Sequence, residues 1–356
     1  MKKMRVACAM SGGVDSSVAA YLLKERGHEV IGLTMEVWQE ERNASLRAIE
    51  DAKKVCSLLG IPHHVVRCRR TFKNTIVRYF TEEYAKGRTP NPCVFCNRDM
   101  KFGLLMDRGA ALGAERFATG HYALVSLDRK TRRYTIRKGL DPERDQSYFL
   151  AFLDQNCLAR TIFPLGALSK REVRKTARAA RLPVAEKAQS QEVCFIPDND
   201  YRAFLHRLGK AGKSTSGPIR DMTGRVLGRH TGLGSYTIGQ RKGLGISDPT
   251  PFYVYRIVPE ENALCVGKKE DLFQSSFTVK NLHPVAWKRF PDRFSCEVKI
   301  RYRNPASRCR GMRAGRDRVR ITLDESQWAP TPGQIAVFYR KDIVLGAGII
   351  SQSCNS

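Results

Sequence analysis

The stretch RVACAMSGGVDSS, residues 5–17, decides the fold. Arg5 to Met10 is a short, mostly apolar run, broken by Ser11, Gly12 and Gly13. From Val14 apolar residues recur at 14, 18 and 22, with 19 and 23 beside them. That pattern reads as strand, tight turn and helix. Two adjacent glycines let the backbone turn sharply and come close to a ligand. The free amides at the start of a helix favour an anion, and Ser11, Ser16 and Ser17 add hydroxyl donors. Asp15 by itself would repel a phosphate there, so a Mg²⁺ between the two is expected. No lysine follows the glycines, so this is not a P-loop of the Walker type. The plain alternative is a strand-to-helix turn with a serine cap. The whole run SGGVDSS directly behind a first strand argues for phosphate.

Outward from this loop, strands and helices alternate. Residues 29–37 and 63–67 read as strands. Residues 44–59 read as a helix stopped by Gly60 and Pro62. Residues 73–86 and about 97–112 are helical, 116–119 is a strand, and 170–180 is a basic helix behind Ser169 as N-cap. Such alternation predicts an α/β domain with a doubly wound parallel sheet over 1–197. Near residue 198 the composition changes. One short helical region spans 198–213, and the glycine-dense GRVLGRHTGLGSYTIGQRKGLGI then implies tight turns between short strands, a small central domain over 198–276. Segments such as SCEVKIRYR and RVRITL alternate like strands. Residues 277–340 carry fourteen Lys and Arg against five Asp and Glu. A basic β-barrel over 277–356 is expected.

The 356 residues hold 62 Lys and Arg against 35 Asp and Glu, a net charge of +27. A chain this basic points to a polyanionic partner, nucleic acid first. No run approaches the ~18 apolar residues of a membrane span, so no membrane partner is expected. The N-terminus lacks the apolar core of a signal peptide. With eleven cysteines, this argues for a reducing, cytoplasmic setting and against structural disulfides. Cys8, Cys56 and Cys157 sit in apolar contexts and read as small core hydrophobes. Cys93, Cys96 and Cys194 lie in polar, punctuated sequence. In TPNPCVFCN, residues 89–97, Pro90, Asn91 and Pro92 mark an irregular exposed loop. The spacing C-x-x-C alone leaves metal, disulfide and nucleophile open.

The loop SGGVDSS closely resembles the PP-loop of the ATP pyrophosphatase superfamily, whose members split ATP into AMP and pyrophosphate to activate a carbonyl-type oxygen. Further stretches narrow the resemblance: GLTMEVW at 32–38, TPNPCVFCN, ATGHYA at 118–123, RDQSYFL at 144–150, SQEVCFI at 190–196, TIGQRKGL at 237–244, RYR at 301–303 and TPGQ at 331–334. In order and spacing they resemble the tRNA-specific 2-thiouridylases along nearly the whole chain. The resemblance implies an adenine-nucleotide alpha-hydrolase-like first domain. It implies ATP-dependent replacement of the C2 oxygen of uridine 34, in the anticodon stem-loop of tRNA, by sulfur. The sulfur would come from a cysteine desulfurase or a sulfur-relay protein.

The same resemblance assigns residues. Ala9, Met10, Ser11, Gly12, Gly13, Val14, Asp15, Ser16, Met35 and Gly120 would bind ATP. Asn91, Pro92 and Cys93 would meet the target base. His121, Arg144, Asp145, Gln146, Arg301, Tyr302 and Gln334 would contact tRNA. Cys194 would carry a persulfide and Cys96 would be the second catalytic thiol. A helix starting after Cys96 would lower that thiol's pKa. Cys93 departs from the pattern, since many members have aspartate there. Cys93, Cys96 and Cys194 could therefore instead hold a [4Fe–4S] cluster with one open iron. A closed zinc site would need a fourth ligand. A small-molecule synthetase would leave the basic barrel and the cysteines without use, and a non-catalytic RNA-binding protein would have no need of SGGVDSS.

Overall fold

The computed structural model describes residues 3–40, 42–188, 193–196, 200–209 and 215–353. The first domain supplies seven strands: β1 (Arg5–Ala9), β2 (Glu29–Glu36), β3 (His63–Arg67), β4 (Arg116–Ala118), β5 (Ala123–Asp128), β6 (Arg133–Lys138) and β7 (Thr161–Ile162). Five form a parallel sheet in the order β3-β2-β1-β4-β7. Alternate residues of β1 enter two cores. Val6 and Cys8 pack with helices Val14–Glu25, Arg42–Leu59 and Lys170–Ala179. Ala7 packs on the other face, with the helices spanning 69–85 and 92–111. Burial on both faces explains why this strand carries no alternating polar residue. The strand order reverses between β1 and β4, and the crevice beyond their carboxyl ends is where ligands bind in such sheets. Residues 11–13 leave β1 at that point.

The helix carrying Cys93 and Cys96 starts earlier than expected. It begins at Pro92, a residue preorganised for the first helical position, and widens into π-helical turns over Cys96–Leu105. Pro90 and Pro92 are buried, so the irregular stretch before it is tucked in rather than exposed.

The β5–β6 hairpin was not foreseen; β6 joins the edge of the barrel sheet at β17. The central domain has helix Tyr201–Arg207 and strands β8 (Gly217–Arg220), β9 (Val226–His230), β10 (Tyr253–Val258) and β11 (Ala263–Gly267), ordered β10-β11-β8-β9. Six strands follow: β12 (Phe273–Pro284), β13 (Arg293–Lys299), β14 (Ser307–Arg313), β15 (Arg318–Trp328), β16 (Ile335–Arg340) and β17 (Ile343–Ser353). They pair antiparallel throughout, and β12 pairs with β17 to close the ring. Closure removes the exposed strand edges that invite aggregation. The barrel begins at Phe273, a few residues before 277. The boundary expected at 197/198 falls outside the described residues.

Candidate active site

The loop after β1 is built to hold its shape without a ligand. Gly12 has φ +71°, and a Cβ there would meet the Ala48 carbonyl oxygen; glycine alone fits. The Ser16 hydroxyl accepts from the Ser11 amide (3.1 Å), donates to the Gly13 carbonyl (3.1 Å), and lies 3.1 Å from the Ser11 hydroxyl. Ser17 also donates to Gly13 (2.9 Å). Val14 and Met10 are buried beneath the loop. Gly120, following β4, packs against it; a Cβ there would lie 2.6 Å from the Ser16 amide nitrogen. That glycine serves the close approach of the loop backbone.

A lysine does reach this loop, from 155 residues away. Lys170 Nζ lies 2.5 Å from Asp15 Oδ1, with both side chains largely enclosed. The Tyr122 hydroxyl donates to the same oxygen at 2.8 Å. Burial and the Asp15 charge push the Tyr122 phenol upward, so it stays protonated and donates. Lys170 opens a helix locked by a capping box between Ser169 and Glu172. Lys187 donates to the Gly12 carbonyl (3.0 Å) and pairs with Asp51 (2.6 Å). Neither lysine was foreseen from the sequence.

Cys93, Cys96 and Cys194 are brought close enough for their charges to interact, around Lys101. The sign of the Cys96 expectation is corrected. Cys96 lies a full turn inside its helix, away from the free amides, and burial pushes it up to about 11, with Lys101 partly opposing. Burial also raises Cys93. Burial of the thiol, with the neighbouring Cys96 and Cys93, also raises Cys194, and Lys101 opposes the shift; the residue as a whole is exposed. Its segment is anchored by Phe195, which packs against Phe72, Phe80 and Phe204, and by Gln39, which donates to the Cys194 carbonyl (2.8 Å). Cys68 also lies near Cys96, and the thiolate of Cys96 would disfavour its ionisation. Among the described residues no three His, Cys, Asp or Glu side chains are gathered so as to hold a metal ion.

One segment touches both regions: Gly120 lies against the loop after β1, and its neighbour His121 packs against Phe102, with ring centroids 6.1 Å apart and Lys101 next in the chain.

Family comparisons match all three domains. A model described as the tRNA methyl transferase HUP domain covers residues 4–198. The PRC-barrel domain of the same series covers 203–268, and an aminomethyltransferase beta-barrel domain covers 274–350. The tRNA-specific 2-thiouridylase MnmA 1 of Caldanaerobacter subterraneus subsp. tengcongensis is 48% identical over 98% of both chains. MnmA of Carboxydothermus hydrogenoformans is 43% identical, again over 98% of both. This chain belongs to the tRNA-specific 2-thiouridylase family. Among solved structures, a 4-thiouridine synthetase–RNA complex with bound ATP matches at 18% identity and TM-score 0.38, covering 58% of this chain and 50% of that one. The U34-tRNA thiolase NcsA from Methanococcus maripaludis, with its [4Fe–4S] cluster, matches at 22% and 0.35, covering 58% and 66%.

The remaining 2-thiouridylase motif residues are mostly engaged within the protein. Met35, in β2, is half-buried against the core. His121 is buried and bonded to Thr119 (2.7 Å), and burial holds it well below the usual imidazole range, so it is neutral. Asp145 is buried, accepting from the amides of Gly139 and Ser147 and from the Ser147 hydroxyl. Gln146 exchanges bonds with the Tyr122 backbone; Arg144 beside it is half-buried. Arg301 donates to the Ala329 carbonyl (2.9 Å) and the Thr331 hydroxyl (2.8 Å), with its guanidinium over Trp328. Tyr302 packs on Phe149. Gln334 donates to Thr89 and Pro90. Asn91 and Pro92 lead into the helix of Cys93.

Proposed function

We infer that this chain is an ATP-dependent tRNA-uridine 2-sulfurtransferase that converts the C2 oxygen of uridine 34 to sulfur, releasing AMP and pyrophosphate. The observation that carries the mechanism is the ATGHYA segment, which abuts the phosphate loop at Gly120 and the thiol-bearing helix at His121. Activation and sulfur transfer can then act on one bound base.

ATP phosphates would lie on the loop of Ser11, Gly12, Gly13 and Ser16. Mg²⁺ needs only one or two carboxylates beside phosphates and water, and Asp15 fits that demand; when bound, the ion would neutralise developing phosphate charge. Lys170 and Lys187 would neutralise the rest. The base oxygen attacks the α-phosphorus and pyrophosphate leaves. The terminal sulfur of a persulfide on Cys194 then attacks C2, and the C2–O bond breaks with AMP departing. Cys96 attacks Cys194 Sγ, and the bond to the transferred sulfur breaks with its electron pair going to that sulfur. A Cys96–Cys194 disulfide remains, and a thiol reductant must reopen it. Lys101 favours the thiolates against burial. Cys93 takes the place at the target base where the family resemblance implies aspartate; half-buried and with its thiol raised by burial, it stays protonated and contributes a weak donor.

A persulfide-delivering partner, such as a cysteine desulfurase or relay protein, would reach the exposed Cys194. Among the described residues no helix is long and apolar enough to cross a membrane. Incubating unmodified tRNA with ATP, Mg²⁺ and a persulfide donor, followed by nucleoside mass spectrometry, tests the reading. 2-Thiouridine at position 34 is expected. Cys96→Ser and Cys194→Ser should yield AMP-forming protein that makes none. Thiolation by either variant at the parental rate would refute the assigned roles.

A further inference from the structure

The turn TPGQ, residues 331–334, connects β15 to β16, and the barrel holds it firmly. The Gly333 amide donates to Ile350 (2.8 Å), and the Ile350 amide donates to Gln334 (2.8 Å). Arg301 clamps the entry to the turn through Ala329 and Thr331. On its outer side the turn meets the stretch that leads into the thiol helix. The Thr89 amide donates to Pro332 (2.9 Å). The Gln334 side-chain amide donates to two consecutive carbonyls, Thr89 (3.0 Å) and Pro90 (3.3 Å). Only the NH₂ end of a glutamine can face two acceptors. Gly333 has φ +92°, and a Cβ there would stand 2.8 Å from the Thr89 oxygen.

The sequence of the held stretch explains its need. TPNP has two prolines, so half of its residues lack an N–H and it cannot pair as a strand. Pro90 and Pro92 are nevertheless buried and Thr89 and Asn91 half-buried, and backbone carbonyls drawn away from water require donors. Gln334 supplies them. Two residues beyond Pro90 the helix begins, and Cys96 follows one turn later.

We propose that Gln334 is a positioning residue: it fixes residues 88–92 on the barrel and thereby sets where Cys96 stands. The barrel then does more than hold RNA, because its turn forms part of the wall behind the thiol. This rests on Cys96 being a reacting thiol, but the first test below does not.

Iodoacetamide labelling of the free protein, read at the Cys96 peptide with Cys265 as internal reference, tests the latch directly. Gln334→Glu keeps the shape but sets a carboxylate against two carbonyls. Losing these bonds should speed Cys96 labelling about five- to thirtyfold, with Cys265 unchanged. Gly333→Ala, which drives a methyl onto the Thr89 carbonyl, should give the same pattern and serves if Gln334→Glu folds poorly. In turnover, kcat for thiolation should fall while KM for tRNA changes little. Unchanged Cys96 labelling in both variants, with a raised KM for tRNA, would overturn the proposal and leave Gln334 an RNA contact only. Failure of Cys96→Ser to lose thiolation would instead refute the catalytic reading and leave the latch standing.

Discussion

Replacing Lys170 by Met removes a charge from the phosphate loop with little change of volume. At about 4 Å and an effective dielectric of about 20, one charge pair is worth about 4 kcal/mol. The Lys170 and Asp15 side chains are 13% and 21% exposed. Solvent therefore reaches the site and lowers the loss to about 3 kcal/mol, roughly a hundredfold in rate. AMP formation in the presence of tRNA should fall by that factor, with tRNA affinity unchanged. Asp15→Asn with Lys170→Met should be less damaging than the two losses multiplied, since the groups touch and their effects are not independent. Asp15 also keeps its bond from Tyr122 in the Lys170→Met protein, so the fold should persist and a melting curve checks it. AMP formation within threefold of the parent would refute the placement of Lys170 on the phosphates.

Burial of Cys96 to about 11 against an ordinary value of 9.0 predicts that its labelling without tRNA rises about tenfold per pH unit through pH 8–10. A plateau near pH 8 would show that the thiol is already ionised. Arg303 is exposed whereas Arg301 is bound inside the turn. Arg303→Ala should therefore lower the slope of log affinity against log salt by about 0.7–0.9. Arg301→Ala should instead lower the melting temperature, and equal effects on the slope would contradict this division. Cys93→Asp should retain thiolation and contain no iron; loss of iron together with activity would favour a cluster.

The phosphate loop was legible because all of its determinants are local: apolar strand, two glycines, hydroxyls, helix. The doubly wound sheet followed from the same alternation. Lys170 was not legible because its partner is remote in sequence and its helix looked like a basic surface helix. One local clue existed. A lysine at the first helical position opposes the helix dipole, and such a locally unfavourable choice behind a strong capping box marks a functional demand. A helix start at Asn97 would set Cys96 beside free amides, whereas Pro92 begins the helix and places Cys96 amid Val94, Asn97 and Phe95, all buried. The family resemblance implies tRNA contacts for both Arg301 and Gln334. Only the tertiary arrangement reveals that these side chains are engaged by the Ala329 carbonyl and Thr331 hydroxyl and by the 89–90 carbonyls. The β5–β6 hairpin, ALVSLD and RYTIRK around a charged turn, had readable alternation, but its partner strand lies some two hundred residues on.

The central claim is direct sulfur transfer from a Cys194 persulfide to an adenylated base, released by disulfide formation with Cys96. A single turnover tests it: iron-free protein, persulfidated at Cys194, mixed with ATP, Mg²⁺ and unmodified tRNA without reductant, then digested and analysed by mass spectrometry. The account predicts one 2-thiouridine per persulfide and a peptide pair joined through Cys96 and Cys194 in equal amount. No 2-thiouridine until iron and sulfide are restored, or 2-thiouridine with both cysteines still free, would contradict it.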